Sequence, residues 1–288
     1  MANFFGYYVK CAGKQDTVAV IFGRATCGKE KTAFIQIVTK DNSYCEKLDF
    51  KDSFVAKRGF EMRVGRNHVN EQGMVLDIDS KDLRVTGEVK FGAFDKIKYD
   101  AMGPFKFLPF MECRHMVVSM QHKISGEIRI GENVFNFDDG VGYIEGDCGK
   151  SFPKKYFWSQ ANHGEVSVSV SCAIIPYLGI RFKGTICFIH FEGQKLRLAT
   201  YLGARVKEFI ESKLVITKGR GGKRYCLEIE ALDGRLTNAR SLLAPDGGKM
   251  NRVIHESVER TVNYKFTKGT ETLFEFTSNR AAFEYSEM

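Results

Sequence analysis

Between Gly140 and His163 the chain reads GVGYIEGDCGKSFPKKYFWSQANH, a stretch crowded with carboxylates, amides and aromatic rings. Tyr143, Glu145 and Asp147 alternate, so in a strand they project from one face. A carboxyl group in apolar surroundings has its pKa raised and keeps its proton near neutral pH. A general acid needs that property, and pairing two carboxyls drives their pKa values apart. Glu145 and Asp147 are therefore the candidate acids, with Glu112 as the rival. The bland alternative is an ion pair of either one with Arg114, Lys154 or Lys155. His115 and His163 could accept a proton near pH 7, or serve only in packing. A second alternating run sets Tyr156, Trp158, Gln160 and Asn162 on one face and Phe157, Ser159, Ala161 and His163 on the other. Buried amides must be hydrogen-bonded or cost about 1–3 kcal/mol each. Gln160 and Asn162 thus fit a polar cavity that holds a ligand hydroxyl, whereas a solvated face would make them trivial. Tyr143, Phe152, Tyr156, Trp158, Phe105, Phe107 and Phe110 could each stabilise a cation by ~0.5–2 kcal/mol, and a β core would use them equally well.

The elements that position these groups read as strands almost throughout. Short β-branched and aromatic runs such as Phe4–Lys10, Thr17–Phe22 and Thr32–Thr39 are separated by Gly, Asn, Asp and Lys clusters. Turn signals recur about every ten residues, the rhythm of an antiparallel sandwich or barrel. Ile124–Ile130 and Asn133–Phe137 form a hairpin around Gly131-Glu132. Gly146 and Gly149, bracketing Asp147 and Cys148, suggest a bulge that re-aims the carboxylate. Ser151-Phe152-Pro153 is a turn signal. The expected boundary divides the chain into residues 1–138 and 139–288, the second carrying the segment above.

Composition narrows the classes. With 288 residues, 43% hydrophobic and 27% charged, the chain is long enough for one large or two ordinary globular domains. The formal charge of +8 is spread without a run of five basic residues, so nucleic acid is not expected as a partner. Contact of the basic surface with an anionic membrane is a further reading. Eight cysteines show no CxxC pair and no ligand-like spacing with histidine, which argues against a zinc site. No Walker or dinucleotide pattern is present, so no metal and no cofactor are expected. No export signal or membrane-length apolar run is visible, and a cytoplasmic protein with free thiols is expected.

The central segment resembles the GYIExDxGxSFPxxYxWxQxNH signature of the tocopherol cyclase family. The agreement covers Gly142, Tyr143, Ile144, Glu145, Asp147, Gly149, Ser151, Phe152, Pro153, Tyr156, Trp158, Gln160, Asn162 and His163. Cys148 departs from it, since the family often has an aromatic there. Met102–Met120, MGPFKFLPFMECRHMVVSM, resembles a second family segment. The resemblance implies an all-β protein of two lipocalin-like antiparallel barrel or sandwich domains packed together. It further implies a cofactor-free acid-catalysed cyclisation, isomerisation or hydration at a double bond of a lipophilic, prenyl-type small molecule. The expected catalytic residues are Glu145, Asp147, Glu112 and His115. Tyr143, Trp158, Gln160, Asn162, His163, Arg114 and Phe152 are expected to bind substrate where the two domains meet. The alternative is a non-catalytic carrier of a hydrophobic small molecule. Substrate identity and oligomeric state are not legible.

Overall fold

The computed structural model describes residues 3–109, 111–177, 179–234 and 237–287, so Phe110 lies outside the described residues. Two compact units emerge. The first comprises Met1–Lys98, Glu112–Phe152 and Arg240–Val253; the second comprises Tyr99–Met111, Pro153–Ala239 and Ile254–Met288. The sequence reading drew a single boundary at 138/139. Here the chain passes between units at Phe152/Pro153, and two further segments belong to the unit remote from them in sequence.

In the first unit the strands are β1 (Asn3–Ala12), β2 (Thr17–Cys27), β3 (Glu30–Val38), β4 (Ser43–Leu48), β5 (Ser53–Val55) and β6 (Glu61–Val64). They continue with β7 (Asn67–Asn70), β8 (Gly73–Asp79), β9 (Arg84–Phe91), β10 (Cys113–Ile130), β11 (Asn133–Asn136) and β12 (Gly140–Gly149). All twelve form one antiparallel sheet in the order β4-β3-β2-β1-β12-β10-β9-β8-β7-β6-β5, with β11 paired to β10. It is a meander whose first and last strands pair. Its gap falls between β4 and β5, where the turn Phe50–Asp52 is capped by the Asp49 carboxylate accepting from the Lys51 amide at 3.1 Å. The sheet rolls so that β6 approaches β2 and β3. The enclosed core includes Val9, Val20, Ile35, Met62, Met74 and Ile144, all fully or almost fully buried. Burying each such side chain stabilises by roughly 1.5–3 kcal/mol.

The second unit holds β13 (Lys155–His163), β14 (Val166–Tyr177), β15 (Ile180–Phe191), β16 (Gln194–Ala199), β17 (Arg205–Ile210) and β18 (Lys213–Lys218). To these it adds β19 (Tyr225–Ala231), most of β21 (Lys249–Lys268) and β22 (Glu271–Glu287); β20 (Arg240–Asp246) and the start of β21 group with the first unit. The ten-stranded order is β16-β15-β14-β13-β22-β21-β19-β18-β17, with β20 paired to β21. Again the first strand pairs with the last, and the gap is bridged by a short turn, Thr200–Leu202. The core centres on Phe157, Ile189, Leu214, Tyr264 and Phe283. Both sheets are antiparallel, and helix is confined to single 3₁₀ turns among the described residues. The lipocalin-like expectation therefore stands for two rolled sheets, neither of them closed by hydrogen bonds into a barrel.

Strand β12 lies between β1 and β10 and runs without a bulge, contrary to the reading of Gly146 and Gly149. The irregularity lies in the partner instead: β10 slips register between Val117 and Ser119 and again between Ser119 and His122. Gly146 serves the core face, where a Cβ would stand 2.9 Å from the Tyr7 ring. Gly149 has φ 151° and backs onto the Glu112 carbonyl, so a side chain has no room there.

Candidate active site

Alternation puts Tyr143, Glu145 and Asp147 on the face of β12 opposite the core residue Ile144. Register then sets Val117 beside Glu145, His115 beside Asp147 and Cys113 beside Gly149 on β10. The upstream and central segments thus meet through direct strand pairing within one unit. His115 Nδ1 lies 3.1 Å from Asp147 Oδ1, and its Nε2 lies 3.6 Å from Glu145 Oε2. The Tyr143 hydroxyl donates to the same Glu145 oxygen, and the Cys113 thiol lies 3.5 Å from Asp147 Oδ1. Side-chain exposure ranks the carboxylates: Glu145 is 7% exposed and Asp147 21%.

Burial alone would lower the His115 pKa. The negative charges of Glu145 and Asp147, with the Asp147 hydrogen bond, reverse that and lift it to about 9. At neutral pH the imidazole therefore carries a proton between two carboxylates. Burial pushes the Cys113 thiol well up, and Asp147 beside it adds to the effect, so the thiol is not a nucleophile here. His115, Glu145 and Asp147 bring ligand-type atoms within 4.8 Å of one another. In the metal-free protein the group shares a proton; a metal ion at these atoms would displace it, since the ligands must be deprotonated to bind.

Two buried neighbours on β1 escaped the sequence reading. Tyr8 is the cross-strand partner of Glu145 and Lys10 that of Tyr143, and both are over nine-tenths buried. A lysine alternating with Val9 and Cys11 in an apolar strand was the available signal.

The other expected residues stand elsewhere. Glu112 precedes β10 and offers its carbonyl to the Lys150 and Ser151 amides; its carboxylate is not part of the His115 group. Arg114 is exposed on the opposite face of β10, beside Cys148. Lys155 pairs with Glu287 at 2.6 Å. Phe152 packs edge-on against Phe4 at 5.4 Å and accepts from Arg252 through its carbonyl, a packing role inside the first unit. Phe105 packs on Tyr201 and Phe182 in the second unit, and Phe107 is exposed.

On β13, Tyr156, Trp158 and Gln160 are buried on the face away from the second core, with the half-buried Asn162 in the same row. Gln160 donates to Asn162 Oδ1 at 2.9 Å, and Ser167 donates to the same oxygen at 2.7 Å. The Tyr156 hydroxyl donates to Glu284, the cross-strand partner of both Trp158 and Glu256. Both glutamates are buried, and neither was anticipated. His163 lies on the other face, exposed and stacked on Phe276 at 4.9 Å, so it does not join the amides. A surface hollow of about 580 Å³, lined by residues that include Glu71, Glu88 and Lys90, contains none of these groups.

Comparison with known proteins gives a consistent fold. The family profile described as tocopherol cyclase-like matches residues 19–207. The crystal structure of CghA with Sch210972 superposes with a TM-score of 0.65 at 10% identity, covering 100% of this chain and 89% of that one. Kievitone hydratase from Nectria haematococca gives 0.55 at 11% identity, covering 99% and 89%. A putative AttH from Nitrosomonas europaea gives 0.56 at 8% identity, covering 99% and 92%. Curated protein sequences yield no match.

Proposed function

The chain belongs to the tocopherol cyclase-like family, and from that premise we propose that it is a cofactor-free acid–base catalyst acting at a double bond of a lipophilic small molecule. The carrying observation is His115 held between two carboxylates, 3.1 Å from Asp147 and 3.6 Å from Glu145. An imidazolium with a pKa near 9 is a weak acid toward an alkene. Passing its proton from Nδ1 to Asp147 Oδ1 leaves neutral imidazole beside a carboxylic acid, the stronger donor. Exclusion of water by a bound substrate favours that neutral pair over the ion pair. Asp147, the more exposed carboxyl, then gives its proton to one alkene carbon, and the cation forms at the other. A hydroxyl of the same molecule captures it in cyclisation, water captures it in hydration, and loss of a neighbouring proton isomerises the bond. In each case one proton returns to the Asp147–His115 pair, so the reaction is redox-neutral. Glu145, fixed by Tyr143, keeps His115 charged and oriented.

Support for a small-molecule substrate comes from the neighbours: CghA was crystallised with Sch210972, and another is a hydratase by name. The test is mass spectrometry of prenylated hydroquinones and prenylated phenols incubated with the protein in D₂O. A product carrying carbon-bound deuterium is expected: one more deuteron for cyclisation or isomerisation, and D₂O addition for hydration. Asp147→Asn and His115→Gln should each lose about 10²–10⁴-fold in rate. Binding without deuterium uptake across the series would favour the carrier reading, and full activity in Asp147→Asn would remove the acid.

A further inference from the structure

Cys113 and His115 stand two residues apart on β10, and Glu145 and Asp147 two apart on β12, so each pair faces one side of its strand. The register of the two strands sets all four side by side on the same face. Two contacts converge on a single atom: Asp147 Oδ1 lies 3.1 Å from His115 Nδ1 and 3.5 Å from the Cys113 sulfur. Zinc bonds of about 2.0–2.1 Å to nitrogen and oxygen and about 2.3 Å to sulfur place neighbouring ligand atoms of a tetrahedron roughly 3.3–3.5 Å apart. The separations at Asp147 are close to those edges, so a cation enters without moving either strand. His115 Nε2 points the other way, 3.6 Å from Glu145 Oε2, and Glu145 accepts from the Tyr143 hydroxyl. A metal-bound imidazole takes such a carboxylate on its second nitrogen. Among the described residues, His115, Glu145 and Asp147 are the one trio of His, Cys, Asp or Glu whose ligand atoms all lie within 4.8 Å of one another.

We propose that Cys113 Sγ, His115 Nδ1 and Asp147 Oδ1 bind one zinc-type divalent cation, with Glu145 as the outer partner of His115 and water in the fourth position. Imidazole and thiolate select such cations over magnesium and calcium, which take oxygen ligands. The ligands bind only when deprotonated. Loading therefore releases one proton from His115 Nδ1 and one from the Cys113 thiol, while the Nε2 proton stays and faces Glu145. Two positive charges arrive as two protons leave, so the buried group takes on no further charge, which would be costly without a partner. Lys10 is buried on the same face beside Tyr143, about 13 Å along the strand from Asp147, and leaves that carboxylate to the cation. The bound cation takes both atoms between which the acid–base reading passes its proton, and its inhibition of turnover rests on that reading.

The test uses the full chain, reduced and stripped of metal with a chelator, and zinc and cobalt(II) as probes. Calorimetry in buffers of different ionisation enthalpy should find one zinc bound and about two protons released. Cobalt(II) should give a thiolate charge-transfer absorption and shift the His115 ring resonances in NMR; magnesium and calcium should do neither. Cys113→Ser should lose that absorption and one of the two protons. Tyr143→Phe, which removes a donor to Glu145, should weaken zinc binding about 10–100-fold. Cys45→Ser removes an exposed thiol outside the group and should change neither readout. Zinc should also stop deuterium uptake in the D₂O assay, and a chelator should restore it. No zinc binding, binding that leaves the His115 ring unshifted, or an unchanged cobalt spectrum in Cys113→Ser would overturn the site, and the acid–base reading would survive. Zinc bound as described with full deuterium uptake would leave the site standing and remove Asp147–His115 as the proton source.

Discussion

His115 and His122 share one strand and face opposite environments. His115 holds its proton because of the negative charges of the carboxylates beside it. His122 lies against Gly142 and the rings of Phe91 and Phe94 at 5.0 and 4.8 Å, with Nδ1 3.0 Å from the Ser119 hydroxyl. Its Nε2 is buried with no hydrogen-bond partner, and burial holds its pKa down to about 4. The two groups bound the stability of the fold from both sides. A raised pKa adds stability that is complete below 6.5 and declines as pH rises through about 9; a lowered one adds stability that is complete above 6.5 and declines as pH falls toward about 4. Thermal melts should therefore peak near pH 6.5, with each limb amounting to a few kcal/mol at most. His115→Gln should flatten the alkaline limb and His122→Gln the acid limb; an unchanged profile in either variant contradicts the assignment. Tyr143→Phe removes the donor to a buried carboxylate and should cost about 1–3 kcal/mol in denaturant titration.

Strand β10 decides which side chains reach the site, and its shape was only partly legible. Cys113, His115 and Val117 alternate along it and share one face. The sequence marks the hairpin strand only from Ile124, where the structure has one continuous strand from Cys113 to Ile130 with two register slips. A bulge adds a residue without changing composition, so hydrophobic pattern does not reveal it. Pairing between remote strands is equally silent: nothing local in β1 says that Gly6, Tyr8 and Lys10 will lie beside Asp147, Glu145 and Tyr143. The charged and amide groups of β12 and β13 were legible because polar residues interrupt apolar strands there. Deleting Val118 should shift the strand by one residue and exchange its faces. The expected outcome is loss of a cooperative melt together with the alkaline His115 titration in NMR. A second element-level contact joins β3 to β20: the Gln36 amide accepts from the Leu243 N–H at 2.8 Å and donates to its carbonyl at 2.9 Å. Gln36→Met should speed hydrogen exchange at Leu243 while leaving β1 and β12 protected.

At the scale of the whole molecule, the two units repeat one plan: a rolled meander, first strand paired with last, and a gap bridged by a 3₁₀ turn. Without a repeated sequence, that likeness rests on strand order and was visible beforehand only as strand count and turn spacing. The first unit is discontinuous. Gln36, Ser43 and Phe34 use the segment Arg240–Val253 through Leu243, Ser241 and Met250. A fragment ending at residue 152 should therefore melt at a lower temperature than the corresponding transition of the full chain, as measured by circular dichroism. An equal melting temperature would mean that the hairpin adds nothing to that unit.

That late segment also governs the timing of synthesis. A ribosome adds about 5–20 residues per second, so β1 waits on the order of tens of seconds for the hairpin at residues 240–253. Throughout that interval β4, the terminal strand of the first sheet, stands beside a partner that has not yet been made, and its backbone edge is open to other chains. Expression yield should therefore respond to translation speed and to holding chaperones more strongly than melting temperature alone would suggest.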